Sequence, residues 1–186
     1  MDMRKIPLNE CTLAFTDSET TGLDTTTHEM VEIYLALADF QGNILSEHQW
    51  YMHPRWPGIA QQEALNLNGY TPEKWEALGT VSHERAIREY SDLCRSSLFT
   101  SWNVVYDWNM VETELRRHGL QWMGHYHRID VAVLAWPAVV RGGLKSMSQV
   151  KVGEYLGIPN LAPHTGRGDV RQMAQLYKHL LQSYAS

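Results

Sequence analysis

Apolar and polar positions along the chain switch between a two-residue and a helical period, and the switches mark the elements. Leu13-Ala14-Phe15 is an apolar run of the kind found in a buried strand. Met30 to Asp39 is apolar and rich in strand formers, Gln41-Gly42-Asn43 is a turn signal, and Ile44 to Met52 returns as the third strand of a meander. Two prolines and a glycine make His53-Pro54-Arg55-Trp56-Pro57-Gly58 a loop. Thr71-Pro72-Glu73 has the grammar of a helix start, with Thr as cap, Pro in the first turn and an acid next. Ser82 caps a helix predicted to run to about Ser97, and Leu98 to Ser101 is short enough for a buried strand. A helix from about Val105 to His118 is stopped by Gly119. Tyr126 to Ile129 reads as a strand, and Asp130 caps a helix that ends at Arg141-Gly142-Gly143. Further helices are predicted around Ser148 to Leu156, stopped by Gly157, and over about Asp169 to Tyr184. Three strands followed by alternating helix and strand predict an α/β layer fold with a mixed sheet.

The segment richest in chemistry, Asp17-Ser18-Glu19-Thr20-Thr21-Gly22-Leu23-Asp24, directly follows the first strand. Residues i and i+2 of a strand project to one side, so the carboxylates of Asp17 and Glu19 are forced close together. Two like charges at that spacing are costly unless a cation neutralises them, and hard divalent ions favour oxygen ligands. Gly22 lets the chain leave the strand sharply. Three later segments add further groups: Asn103-Val104-Val105-Tyr106-Asp107, then Arg128-Ile129-Asp130, then His164-Thr165-Gly166-Arg167-Gly168-Asp169.

On these residues the chain resembles the DEDDh, or DnaQ-like, 3′–5′ exonucleases, a family that includes the proofreading subunit of bacterial DNA polymerase III, RNase T and oligoribonuclease. The first family motif, D-x-E-T-T-G, is matched by every letter from Asp17 to Gly22. The second, H-N-x-x-F-D, appears as Trp102-Asn103-Val104-Val105-Tyr106-Asp107, with Trp for His and Tyr for Phe. The third, H-x4-D, is His164 and Asp169, with a more glycine-rich spacer than usual. Ile59, Ala64 and Asn66 to Pro72 resemble a segment that lies between the first two motifs. The resemblance runs from about residue 11 to the C-terminus. It implies a ribonuclease H-like fold, a mixed five-stranded sheet with helices on both faces, formed here as one exonuclease domain over 1–186 with a core of about 11–184.

The resemblance also implies roles. Asp17, Glu19 and Asp169 would hold one of two Mg²⁺ or Mn²⁺ ions, about 3.5–4 Å apart in such sites. Asp17 would bridge to the second ion, and Asp107 would support that ion directly or through water. His164, on a mobile loop, would be the general base, since a neutral imidazole accepts a proton near physiological pH. Leu23 matches an apolar wedge against the terminal base, and Thr20 a position whose backbone meets the terminal sugar. Asn103 and Tyr106 match residues that line the terminal-nucleotide pocket. Trp102 either stacks on a base or packs in the core. The implied reaction releases nucleoside 5′-monophosphates from single-stranded 3′ ends. The Asp17–Gly22 and Asn68–Glu73 segments favour DNA, with an exoribonuclease or a binding module derived from a nuclease as alternatives. Relatives include both homodimers and polymerase-associated subunits.

Composition bounds this picture without changing it. The 186 residues, 44% hydrophobic and 20% charged, suit one globular domain with a substantial core, and no linker or repeat divides them. Met1-Asp2-Met3-Arg4-Lys5 leads into a mixed segment without a signal-peptide core, and no apolar run is long enough for a membrane helix. Cys11 and Cys94 are far apart, which predicts reduced thiols and a cytoplasmic protein. A net charge of −5 does not exclude a polyanion, because the local field decides. Arg141, Lys145, Lys151, Arg167 and Arg171 flank the third motif and offer phosphate contacts. His125-x-His127 has the spacing of two zinc ligands on a strand, but no third ligand accompanies it, so an ordinary strand pair is expected. Arg116-Arg117-His118 complements a helix C-terminus. Trp50, Trp75, Trp122 and Trp136 are expected to pack in the core or at the surface.

Overall fold

A computed structural model describes residues 6–185; Met1 to Lys5, read above as a segment without a signal-peptide core, lies outside the described residues. The chain runs β1 (Thr12–Thr20), β2 (Met30–Ala38), β3 (Ile44–Tyr51), α1 (Gln62–Asn68), α2 (Pro72–Leu78), α3 (His83–Leu93), β4 (Ser97–Ser101), α4 (Val104–Arg117), β5 (Arg128–Asp130), α5 (Val131–Leu134), α6 (Trp136–Gly142), α7 (Gln149–Tyr155) and α8 (Gly166–Ala185). The five strands form one mixed sheet in the order β3-β2-β1-β4-β5. β1, β2 and β3 pair antiparallel, and β4 and β5 join parallel to β1.

Alternation along β1 builds a core on each face of the sheet. Leu13 and Phe15 pack with Val131, Val170, Met173 and Tyr177, which places α5 to α8 on one face. Ala14 packs with Ile87, Tyr90, Trp108 and Val111, which places α3 and α4 on the other. Each face is sealed because a strand presents successive side chains to opposite sides. Trp50, Trp75 and Trp122 are buried or half-buried, and each indole N–H has an acceptor: Glu89 Oε2 at 2.8 Å, Val31 O at 2.6 Å and His125 O at 2.9 Å. Trp136 is a surface residue, 53% exposed. Among the described residues, no helix is long and apolar enough to cross a membrane.

The predicted caps hold. Thr71 Oγ1 accepts from Lys74 N at 3.2 Å, and Ser82 Oγ accepts from Arg85 N at 3.2 Å. Several details differ. The helix after Ser82 stops at Leu93, because β4 begins at Ser97 after Ser96 turns through a left-handed φ of 64°. The helix after Asp130 is broken at Ala135 into α5 and α6, with Pro137, which has no N–H to continue the ladder, in the first turn of α6. The short helix α1 went unpredicted. β5 covers only Arg128–Asp130, so His125 and His127 sit in the loop before it and not on a strand. His125 N donates to Ser97 O at 2.8 Å, and its Nδ1 accepts from His127 N at 3.1 Å. That nitrogen is thereby occupied, and among the described residues no third His, Cys, Asp or Glu converges on the pair.

Candidate active site

β1 delivers the first two carboxylates. Asp17 and Glu19 leave the sheet on the side of Leu13 and Phe15, the face covered by α8. Asp169, in the first turn of α8, approaches from above. One carboxylate oxygen from each of Asp17, Glu19 and Asp169 lies within 4.8 Å of the others, the only convergence of three His, Cys, Asp or Glu groups among the described residues. Asp107, in the first turn of α4, comes from the opposite face. Its Oδ1 accepts from Ser18 N at 3.1 Å and Ser18 Oγ at 2.7 Å, and its Oδ2 accepts from Ser101 Oγ. These bonds, on a carboxylate with about four acceptor positions, hold Asp107 firmly in place. It lines the same cleft, of about 280 Å³, without joining the three-carboxylate cluster.

The electrostatics of this cleft are those of crowded acids. Burial pushes the Asp17 carboxyl well above its usual range, and the charges of Asp107, Glu19, Asp169 and Glu32 add to the effect. Burial, then Glu32 and Asp169, pushes Glu19 up to about 8. Asp169 is raised by burial against the opposing pull of His164. Asp107 is raised by burial to about 6, although hydrogen bonds from Ser101 and Ser18 oppose it. An all-oxygen donor set under mutual repulsion fits a hard divalent cation, whose charge would relieve both the crowding and the desolvation.

His164 is exposed on the rim of this cleft, in a left-handed conformation with φ 60°. The glycines around it serve close packing. A Cβ on Gly168 would fall 2.0 Å from Ala162 O, and one on Gly166 would fall 2.7 Å from Tyr34 Cβ. Thr165 Oγ1 donates to Ala162 O at 2.7 Å and accepts from Gly168 N at 3.1 Å, capping α8. Asn160 Nδ2 donates to Asp169 Oδ1 at 2.7 Å. The turn that carries His164 is thus closely bonded, and its glycines are required by packing.

The remaining sequence-derived residues divide. Asn103 and Tyr106 line the cleft, and Asn103 takes a left-handed φ of 58° while its N–H donates to Asp130 Oδ1 at 3.3 Å. Thr20 Oγ1 lies 2.7 Å from Tyr106 OH, and both hydroxyls reach Gly22 O at 3.0 Å, so the two motifs are bolted together. Leu23 projects into solvent, 78% exposed, and does not line the carboxylate cleft. Trp102 is half-buried, packs on the core, and donates Nε1–H to Met147 O at 3.0 Å while its ring still lines the cleft. Asp130 is the expected cap, accepting from Ala132 N at 2.9 Å, and it also accepts from Val104 N at 3.2 Å.

Three contributors went unread in the sequence, and a fourth, Asn68, figures there only as part of a motif-like segment without a role of its own. Ser18 and Ser101 fix Asp107 and carry no individual signal. Asn68 Nδ2 donates to Thr20 O at 3.0 Å, fastening the end of α1 to the first motif. Glu32 is buried opposite Glu19 on β2, where a lone acid within an apolar strand is the signal that pointed to it.

Comparison with known proteins agrees with this fold. The RNase T exonuclease family model matches residues 14–177. A PolC-type DNA polymerase III of Thermotoga maritima is 26% identical over 174 residues, 93% of this chain and 12% of the polymerase. The PolC-type polymerase of Streptococcus sanguinis is 26% identical over 113 residues, 61% of this chain and 7% of that protein. This chain thus spans about a tenth of the length of those relatives. Among solved structures, exonuclease I superposes with a TM-score of 0.81 at 19% identity, over 94% of this chain and 41% of that one. E. coli exonuclease I in complex with a dT13 oligonucleotide superposes with a TM-score of 0.81 at 18% identity, over 94% of this chain and 43% of that one, and both matches bear out the ribonuclease H-like fold. With its motifs gathered in one cleft on that fold, the chain belongs to the RNase T-type, DnaQ-like 3′–5′ exonuclease family.

Proposed function

We propose that this chain hydrolyses single-stranded DNA from the 3′ end and releases nucleoside 5′-monophosphates. The observation that carries the reading is the convergence of Asp17, Glu19 and Asp169 in a cleft with His164 on its rim. Asp17, Glu19 and Asp169, with Asp107 beside them in the cleft, would hold two Mg²⁺ or Mn²⁺ ions. Bound divalent cations supply Lewis-acid activation of water and neutralise charge at phosphorus. The chain's own groups do the rest. Neutral His164 takes the proton of the attacking water. Tyr106, Thr20 and the Gly22 carbonyl brace the wall of the terminal-nucleotide pocket, Asn103 lines it, the Trp102 ring forms one side, and Leu23 wedges against the terminal base.

Relatives that are DNA polymerases, and a structural neighbour solved with a DNA oligonucleotide, support DNA over RNA and a polymerase-associated setting over a homodimer. Buried free thiols at Cys11 and Cys94 fit a cytoplasmic protein, acting through one catalytic domain. The test uses matched DNA and RNA oligonucleotides labelled at the 5′ end, after chelation and with Mg²⁺ or Mn²⁺ restored. A ladder shortening from the 3′ end, faster on DNA and slowed by a 3′-phosphate, is expected. Faster RNA turnover would make the chain an exoribonuclease, tight binding without turnover a binding module, and rapid cutting of circular strands an endonuclease.

A further inference from the structure

The cleft is assembled from two distant parts of the chain, and Glu32 is the side chain that joins them. One part is β1, with Asp17 and Glu19. The other is the turn that leads into α8, with His164 and Asp169. Glu32 stands on β2 directly across from Glu19, only 3% exposed, between Val31 and Ile33 of an otherwise apolar strand. Its Oε1 accepts from Gly166 N at 3.1 Å, and Gln49 Nε2 on β3 donates to the same oxygen at 2.8 Å. Gly166 lies between the two reacting-site residues of that turn, two positions after His164 and three before Asp169. The fit leaves no slack, since a Cβ on Gly166 would fall 2.7 Å from Glu32 Oε1.

A buried carboxylate held only by neutral donors, next to three other acids, is an expensive way to fasten a helix. Glu32 also falls outside the group of carboxylates that could share an ion. We propose that Glu32 is a positioning residue for hydrolysis: through the Gly166 amide it sets the turn that carries His164 against β1, and so fixes the approach of the base to the cleft. The proposal rests on the reading of His164 as general base.

The test compares Glu32→Gln, which keeps an acceptor oxygen for Gly166 N, with Glu32→Met, which keeps the volume but accepts nothing. Steady-state hydrolysis of a 5′-labelled single-stranded DNA is followed with saturating Mg²⁺. Glu32→Met should lose about 10–100-fold in kcat, the scale of an ångström-level misplacement, with KM for the oligonucleotide nearly unchanged. Glu32→Gln should recover most of that loss. In a His164→Ala background, Glu32→Met should add little, because both changes remove the same contribution. Equal losses in the Gln and Met variants, a Met variant at full rate, or fully multiplicative losses in the double variant would each overturn the proposal. If His164→Ala itself keeps full rate, the assignment of the base has failed, and the Gln–Met contrast then judges Glu32 alone as an anchor of Asp169. Should Glu32→Met not fold, Gly166→Ala disturbs the same joint from the other side. A slowed rate there supports the proposal, and an unchanged one overturns it.

Discussion

Asp17 and Glu19 sit where two acids are least comfortable, half-buried and facing further carboxylates, and that discomfort can be measured. In the metal-free protein Glu19 holds its proton up to about 8, against an ordinary 4.5, with burial the main cause. Between those values the folded chain binds more protons than the unfolded chain, so its stability falls as pH rises through that window. In the presence of chelator, the melting temperature should therefore decline from about pH 5 to pH 8. Asp17→Asn removes one of the crowding charges, so it should flatten this decline and melt higher than wild type at pH 8 while abolishing hydrolysis with Mg²⁺. A flat profile for the wild type, or near-normal turnover in the variant, would contradict the assignment of these residues.

Between elements, short polar side chains do the positioning. Asp130 ends β5, caps α5, and accepts from the backbone N–H groups of Asn103 and Val104 at the start of α4. It thus aligns two helix starts on the edge of the cleft, and α4 brings Tyr106 and Asp107 with it. Asp130→Ala should cost about 1–3 kcal/mol in urea denaturation, the scale of a lost cap together with unsatisfied amides. Because Asn103 loses its anchor, KM for the oligonucleotide should rise more than kcat falls. The reverse pattern would place Asp130 closer to the chemistry than its contacts suggest.

Across the whole molecule, a second cluster of charges lies away from the cleft and holds the rim of the fold. Glu114 on α4 accepts from Arg55 Nη2 and Arg117 Nη1, each at 2.6 Å, with His83 Nδ1 3.5 Å away. Arg55 also donates to buried Glu29 at 2.6 Å, just before β2. Burial works against the charged form of Glu114, yet His83, Arg117 and Arg55 together hold its carboxyl down to about 2. Its stabilisation is thus complete above about 4.5 and lost as pH falls toward 2. Glu114→Ala should destabilise the protein by about 1–3 kcal/mol, because it removes the shared acceptor of Arg55 and Arg117 and leaves donors around a buried position without a partner. At a temperature where the variant is folded, kcat should be little changed. A large loss of kcat without loss of stability would tie this cluster to the reaction.

The same scale separates what was legible in the chain from what was not. Local pattern was enough for the strand that carries Asp17 and Glu19, the caps at Thr71, Ser82 and Asp130, and the mixed sheet, because periodicity, capping and i, i+2 geometry are local properties, while the three motifs were legible through their resemblance to a known family. It did not reveal that Asp107 spends three acceptor positions on Ser18 and Ser101, or that Trp102 gives its N–H to Met147. The glycines after His164 read locally as looseness, and only the approach of Ala162, Tyr34 and Glu32 makes them a requirement of close packing. His125 and His127 alternate as a strand pair would, but pairing with β4 is regular only from Arg128 onward, so both lie in the loop before β5. Each of these outcomes depends on a partner from a distant part of the sequence. Such partners are set by how the sheet, α4 and α8 close on one another, which no local pattern encodes.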